Sequence, residues 1–83
     1  MLFTTNYYQK MNAIEYLSQL IQGQTGSQEN TAFLKKIQSG LNTTTLLNGK
    51  QRELLTGAIN EALTKGRSNL SAIAIATFAN SCH

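Results

Sequence analysis

The residues able to do chemistry are few. The only cysteine, Cys82, stands directly beside the only histidine, His83. There is no aspartate, so neither a Ser-His-Asp triad nor an aspartyl dyad is open to this chain. A nucleophilic Cys-His pair needs its base held within hydrogen-bond reach and a third group to orient it. Adjacent residues in one segment do not meet that need. Zinc takes four ligands at recognisable spacings, and Cys82 with His83 supplies two, without a CxxC pair. The four glutamates, Glu15, Glu29, Glu53 and Glu61, are spread along the chain at spacings that suit exposed helix surface. GQTGSQ at residues 23–28 lacks the lysine and the preceding strand of a phosphate loop. The reading is a non-enzymatic protein without metal or cofactor.

The basic residues form a second candidate set. Lys35 and Lys36 fall near the end of one expected helix, Lys65 and Arg67 near the end of another. TAFLKKIQSGL and NEALTKGRSNL align at an offset of 29 residues and place these cations comparably. Cations at helix C-termini suit the helix dipole. The same four residues define the alternative function, a small basic protein binding nucleic acid or nucleotides. The formal net charge of +3 is compatible with that alternative without requiring it.

A third set suits a protein partner. Phe3, Tyr8 and Tyr16 supply apolar and aromatic groups near the start, and tyrosine is enriched at binding hot spots. Ile73, Ile75 and Phe78 lie in LSAIAIATFANSCH, the most apolar stretch of the chain.

These residues must be carried by helices. Proline is absent, which favours uninterrupted helical runs. Phe3, Tyr7, Met11, Ile14, Leu17 and Ile21 recur on one helical face and predict a first helix over 5–22, capped by Thr4, Thr5 or Asn6. Gly23 is expected as its left-handed stop. Ser27 caps a second helix over 28–39, ended by Gly40. Asn48 with Gln51 three residues on reads as a capping box opening a third helix over 49–65. Leu54, Leu55, Ala58, Ile59, Ala62 and Leu63 are its expected inner face, and Gly66 its stop. Ser68 or Asn69 caps a fourth helix over 69–80.

LLNGKQRELLTGAINEAL, 18 residues, resembles the opening helix of bacterial death-like, effector-associated domains. The size and helical layout are similar to bacteriocin-immunity bundles. Both resemblances imply a helical fold, and neither supplies a motif that assigns a site residue.

The expected fold is a single all-α domain over 1–83, a bundle of about four helices with no sheet. Thr, Asn, Gln and Ser make up 31 of the 83 residues, so its surface is mostly neutral and hydrogen-bonding. The fourth helix is apolar on nearly every side, which predicts burial on nearly every side. A chain this short has a thin core. A homo-oligomer, most simply a dimer, is therefore expected to complete the bundle by covering Leu70, Ile73, Ile75 and Phe78. The apolar run is shorter than the ~20 residues of a membrane span. The start MLFTTNYYQK has no basic segment followed by an apolar run, and the single cysteine cannot pair within the chain. A cytoplasmic location is the expectation. The function expected is that of a protein-interaction module: an inhibitor, an adaptor or an assembly subunit.

Overall fold

The computed structural model describes residues 9–24, 28–66 and 69–82. It is a small helical bundle with one minimal strand pair. In chain order the elements are β1 (Met11–Asn12), α1 (Ala13–Gln22), α2 (Gln28–Ser39), β2 (Leu46–Leu47), α3 (Gly49–Thr64) and α4 (Asn69–Asn80). The all-α reading holds, and the expectation of no sheet is corrected by two strands of two residues each. They pair antiparallel, Met11 with Leu47 and Asn12 with Leu46. Ala13 N–H extends the pairing by donating to Thr45 O at 2.9 Å.

That pairing explains the largest correction. The first helix starts at Ala13, eight residues later than its periodicity implied. Asn12 is its cap: its Oδ1 accepts from Ile14 N–H at 2.9 Å and Glu15 N–H at 3.2 Å. Its Nδ2 donates to Thr43 O at 2.7 Å. Asn12 thus satisfies two open helix donors and ties the helix entry to the loop before β2. The caps proposed at Thr4, Thr5 and Asn6 lie outside the described residues, as do Phe3, Tyr7 and Tyr8.

Gln38 joins α1 to α2 by donating through Nε2 to Ile14 O at 2.9 Å and Ser18 Oγ at 2.8 Å. The end of α2 thereby meets the start of α1, so the two helices run antiparallel. α4 packs on both α2 and α3. The end of α2 approaches α4 so closely that a Cβ built on Gly40 would sit 3.0 Å from Ala76 Cβ. Gly40 is needed for this proximity; its φ is not positive. Gly23 is likewise not left-handed, with φ −77° and ψ −11°. Gly66, the expected stop of α3, is the glycine that takes the left-handed conformation among the described residues, at φ +63°. The Asn48–Gln51 capping box is present in both directions, at 2.9 and 2.8 Å.

The core is built on Leu17, Leu34, Ile37, Leu47 and Leu55. α4 contributes Ala72, Ile75, Ala76 and Ala79. Three of these four are alanines, which lets its neighbours approach its backbone. Ile73 (59% exposed) and Phe78 (41%) point out, as do Ala74 and Thr77. α4 is therefore buried on one side only, and the expectation of burial all round is corrected. Leu54, expected inside α3, is 53% exposed.

Candidate functional site

The acidic groups do not converge into a catalytic cluster. Glu15, Glu29, Glu53 and Glu61 are all exposed. Glu61 lies one turn before Lys65, and Lys65 Nζ donates to its Oε1 at 2.8 Å. Among the described residues no group of three His, Cys, Asp or Glu side chains stands close enough to hold a metal ion. Cys82 is half-buried, with its Sγ 3.4 Å from Phe78 O. His83 lies outside the described residues.

The basic set is divided. Lys35 and Lys36 are exposed near the end of α2. Lys65 is the C-cap of α3 and is engaged with Glu61. α2 and α3 each pack on α4, which stands between them. Arg67 is outside the described residues.

Of the partner set, Tyr16 is half-buried, and its hydroxyl forms a hydrogen bond with Thr56 Oγ1 that joins α1 to α3. Ile75, at 8% exposure, packs in the core and is not offered to a partner in this fold. Burial claims it because it shares the α4 face of Ala72, Ala76 and Ala79. Residues two apart lie ~200° apart on a helix, so Ile73 is turned away.

The residues left on the surface define a face across α3 and α4. α3 and α4 follow one another in the chain and pack together. Between them runs an open groove of about 180 Å³, lined by Ala58, Glu61, Ala62, Ser71, Ala74 and Ile75. Small side chains on both helices make it. Ala62 and Ser71 lie at the turn end, Ala58 and Ile75 beyond them. One turn further from the connection, the same two helix faces carry Leu54 and Phe78. Ile73 lies on the other flank of α4. No charged residue occurs anywhere in Asn69–Asn80, and the charged group lining the groove is Glu61 of α3, ion-paired with Lys65. Leu54, expected on the inner face of α3, is on the surface instead, and the groove has no counterpart among the sequence expectations. The signal was available: alanines at 58, 62 and 74 with leucine one turn before the first of them.

Two other clefts are more polar. One, of about 440 Å³, includes Lys10, Thr45, Asn80 and Cys82. The other, of about 420 Å³, includes Lys10, Glu15 and Arg52. Their polar groups are largely engaged in holding the fold: Asn80 bonds to the 40–45 segment, and Arg52 Nη1 donates to Gln9 O and Leu47 O.

Among the described residues no helix is long and apolar enough to cross a membrane. In comparisons with protein-family models, curated proteins and solved structures, nothing matches this chain.

Proposed function

We propose that this protein is a non-enzymatic helical interaction module, an inhibitor, adaptor or assembly subunit, that binds a macromolecular partner through the outer face of α3 and α4. The observation that carries the reading is the exposure of Leu54 and Phe78 beside the groove and of Ile73 on the other flank of α4, an outer face whose one groove-lining charge, Glu61, is ion-paired with Lys65. Full burial of such a side chain is worth ~1.5–3 kcal/mol, and each is about half exposed. Covering all three therefore offers on the order of 2–4 kcal/mol. Aromatic and aliphatic anchors beside a small pocket are the usual centre of a binding surface. A second copy of the chain is among the partners we propose, and the cytoplasm, where a lone thiol stays reduced, is the compartment.

The test is affinity capture from the source cell with the wild type and with Ile73→Glu, read by mass spectrometry. A stoichiometric protein held by the wild type and lost with the variant supports the reading. No stoichiometric protein, together with turnover produced by this protein alone, overturns it.

The exposure of Lys35 and Lys36 favours a second reading, binding of nucleic acid or nucleotides. Phosphate-driven binding weakens steeply with salt, whereas an apolar interface is far less sensitive. Gel shifts against DNA and RNA at two salt concentrations separate the two, and no shift at low salt removes the nucleic-acid reading.

A further inference from the structure

We infer that the α3–α4 face pairs with the same face of a second copy, Phe78 of each chain seating in the groove of the other. The inference rests on the reading of this face as an interaction surface and specifies its partner. Two features of the face favour a like partner, and a third sets the strength of the pairing.

The first is shape. The face carries a projecting group and a recess of matching kind side by side. Phe78 is 41% exposed, and the recess is lined by the small side chains of Ala58, Ala62, Ser71 and Ala74, with Ile75 and Glu61 completing its wall. Ala74 and Ser71 lie about 6 and 10 Å from Phe78 along the same helix axis, at 1.5 Å per residue. A two-fold axis crossing α4 between Ala74 and Phe78 lays α4 antiparallel on its copy. Each Phe78 then lies over the other chain's Ala74 and Ser71. Two-fold contacts of this kind use one patch twice and close on themselves.

The second is charge. The chain has a net charge of +3, so most pairings of two copies bring like charges together. α4 contributes no charge, and the acid and base beside the groove, Glu61 and Lys65, already neutralise one another at 2.8 Å. This face meets its own copy without repulsion.

The third is area. α4 has 12 residues and α3 has 16, so their outer face is about 18–24 Å long and about 20 Å wide. That offers several hundred Å² per copy, against about 800 Å² for a standard interface. The dimer is a small one, and its dissociation constant is expected in the micromolar range.

The experiment is light scattering and sedimentation of the full chain from low micromolar to millimolar concentration. The mass is expected to rise from 9.1 kDa towards about twice that value. Ala74→Glu places a charge in the recess at an exposed alanine, and Phe78→Ala removes the projecting group. Both are expected to stay at the chain mass throughout, with helical circular dichroism unchanged. If Phe78→Ala loses helical signal, Ala74→Glu decides alone. A wild type that stays at 9.1 kDa at millimolar concentration overturns self-pairing, as does a dimer that persists in Ala74→Glu. A monomeric wild type that still loses a captured protein on Ile73→Glu would overturn self-pairing while leaving the interaction reading in place.

Discussion

Asn80 holds Thr45. The Oδ1 of Asn80 accepts from Thr45 Oγ1 and from Asn42 N–H, both at 2.9 Å, while its Nδ2 donates to Gly40 O at 2.9 Å. One side chain at the end of α4 thus satisfies three groups of the segment joining α2 to β2. Among the described residues Thr45 is the one buried polar side chain, at 7% exposure. A buried polar group left without a partner costs ~1–3 kcal/mol. Asn80→Ala should therefore lose roughly 1–3 kcal/mol, all of it from Thr45, since Asn42 and Gly40 are exposed and can turn to water. Asn80→Asp keeps both acceptors but sets an oxygen against Gly40 O, and a smaller loss is expected. Thr45→Val combined with Asn80→Ala should cost less than the two changes summed, because the two residues share one bond. Urea midpoints at constant slope measure all three. An Asn80→Ala loss below ~0.5 kcal/mol would show that the clamp is not structural.

Two glycines should respond in opposite directions. Gly40→Ala brings a methyl to 3.0 Å from Ala76 Cβ, with α4 alanines packed behind it. Overpacking of this kind typically costs ~1–3 kcal/mol, and the lower half of that range is expected for a single methyl. Gly57 sits inside α3, where an added Cβ meets nothing within 4 Å. Gly57→Ala should stabilise by ~0.5–1 kcal/mol through helix propensity. Thermal melts of both variants give the comparison. A stabilised Gly40→Ala would mean that α2 and α4 can separate at little cost.

The elements that were legible in the sequence are those set by local chemistry. Asn48 and Gln51 cap α3 through a three-residue reach, and Gly66 ends it through its own backbone freedom. The bounds of α2 and α4 follow from propensity and from the small polar residues between them. What stayed hidden depends on residues far apart in the chain. α1 begins at Ala13 because Met11 and Asn12 pair with residues 36 and 34 positions away, and periodicity within 5–22 carries no trace of that pairing. Asn80 reads as a polar helix end, and its role appears only with partners 35 to 40 residues distant. The candidate face was legible in kind but not in membership. Ile73, Ile75 and Phe78 are alike in hydropathy, and only packing against α2 and α3 turns Ile75 inward and the other two out. Leu54 is misplaced by the sequence because leucine is assigned inward by default, and here the α3 face towards the core is filled by Leu55, Ile59 and Ala62.

The two helix caps should differ in what they tolerate. Asn48 Oδ1 accepts one backbone N–H, from Gln51, and the return bond comes from the Gln51 side chain. Asn48→Asp keeps that acceptor and adds a negative charge at a helix N-terminus, so it should be neutral or slightly stabilising. Asn12 uses its amide as well, donating to Thr43 O at 2.7 Å. Asn12→Asp keeps the cap but turns that donor into an oxygen, and a loss of about 1 kcal/mol is expected. Alanine at either position should cost ~0.5–2 kcal/mol. Equal effects of aspartate at the two sites, by denaturant titration, would count against the Asn12–Thr43 link.

Arg52 gives a local prediction of a different kind. Its Nη1 donates to Gln9 O at 2.9 Å and to Leu47 O at 2.8 Å, so one guanidinium nitrogen links the segment leading into β1 to the end of β2. Two strands of two residues have too few ladder bonds to hold themselves together. The bridge therefore contributes to keeping β1 against β2. Arg52→Met retains most of the apolar stem and removes both bonds, which should cost about 1–2 kcal/mol, since each is charge-assisted but partly wet. The readout is amide exchange at Ala13, whose N–H donates to Thr45 O beside the strands. A loss of that size corresponds to exchange faster by roughly 5- to 30-fold. If the Ala13 rate is unchanged in Arg52→Met while the global midpoint falls, then Arg52 stabilises α3 by some other contact and the strand pair stands without it.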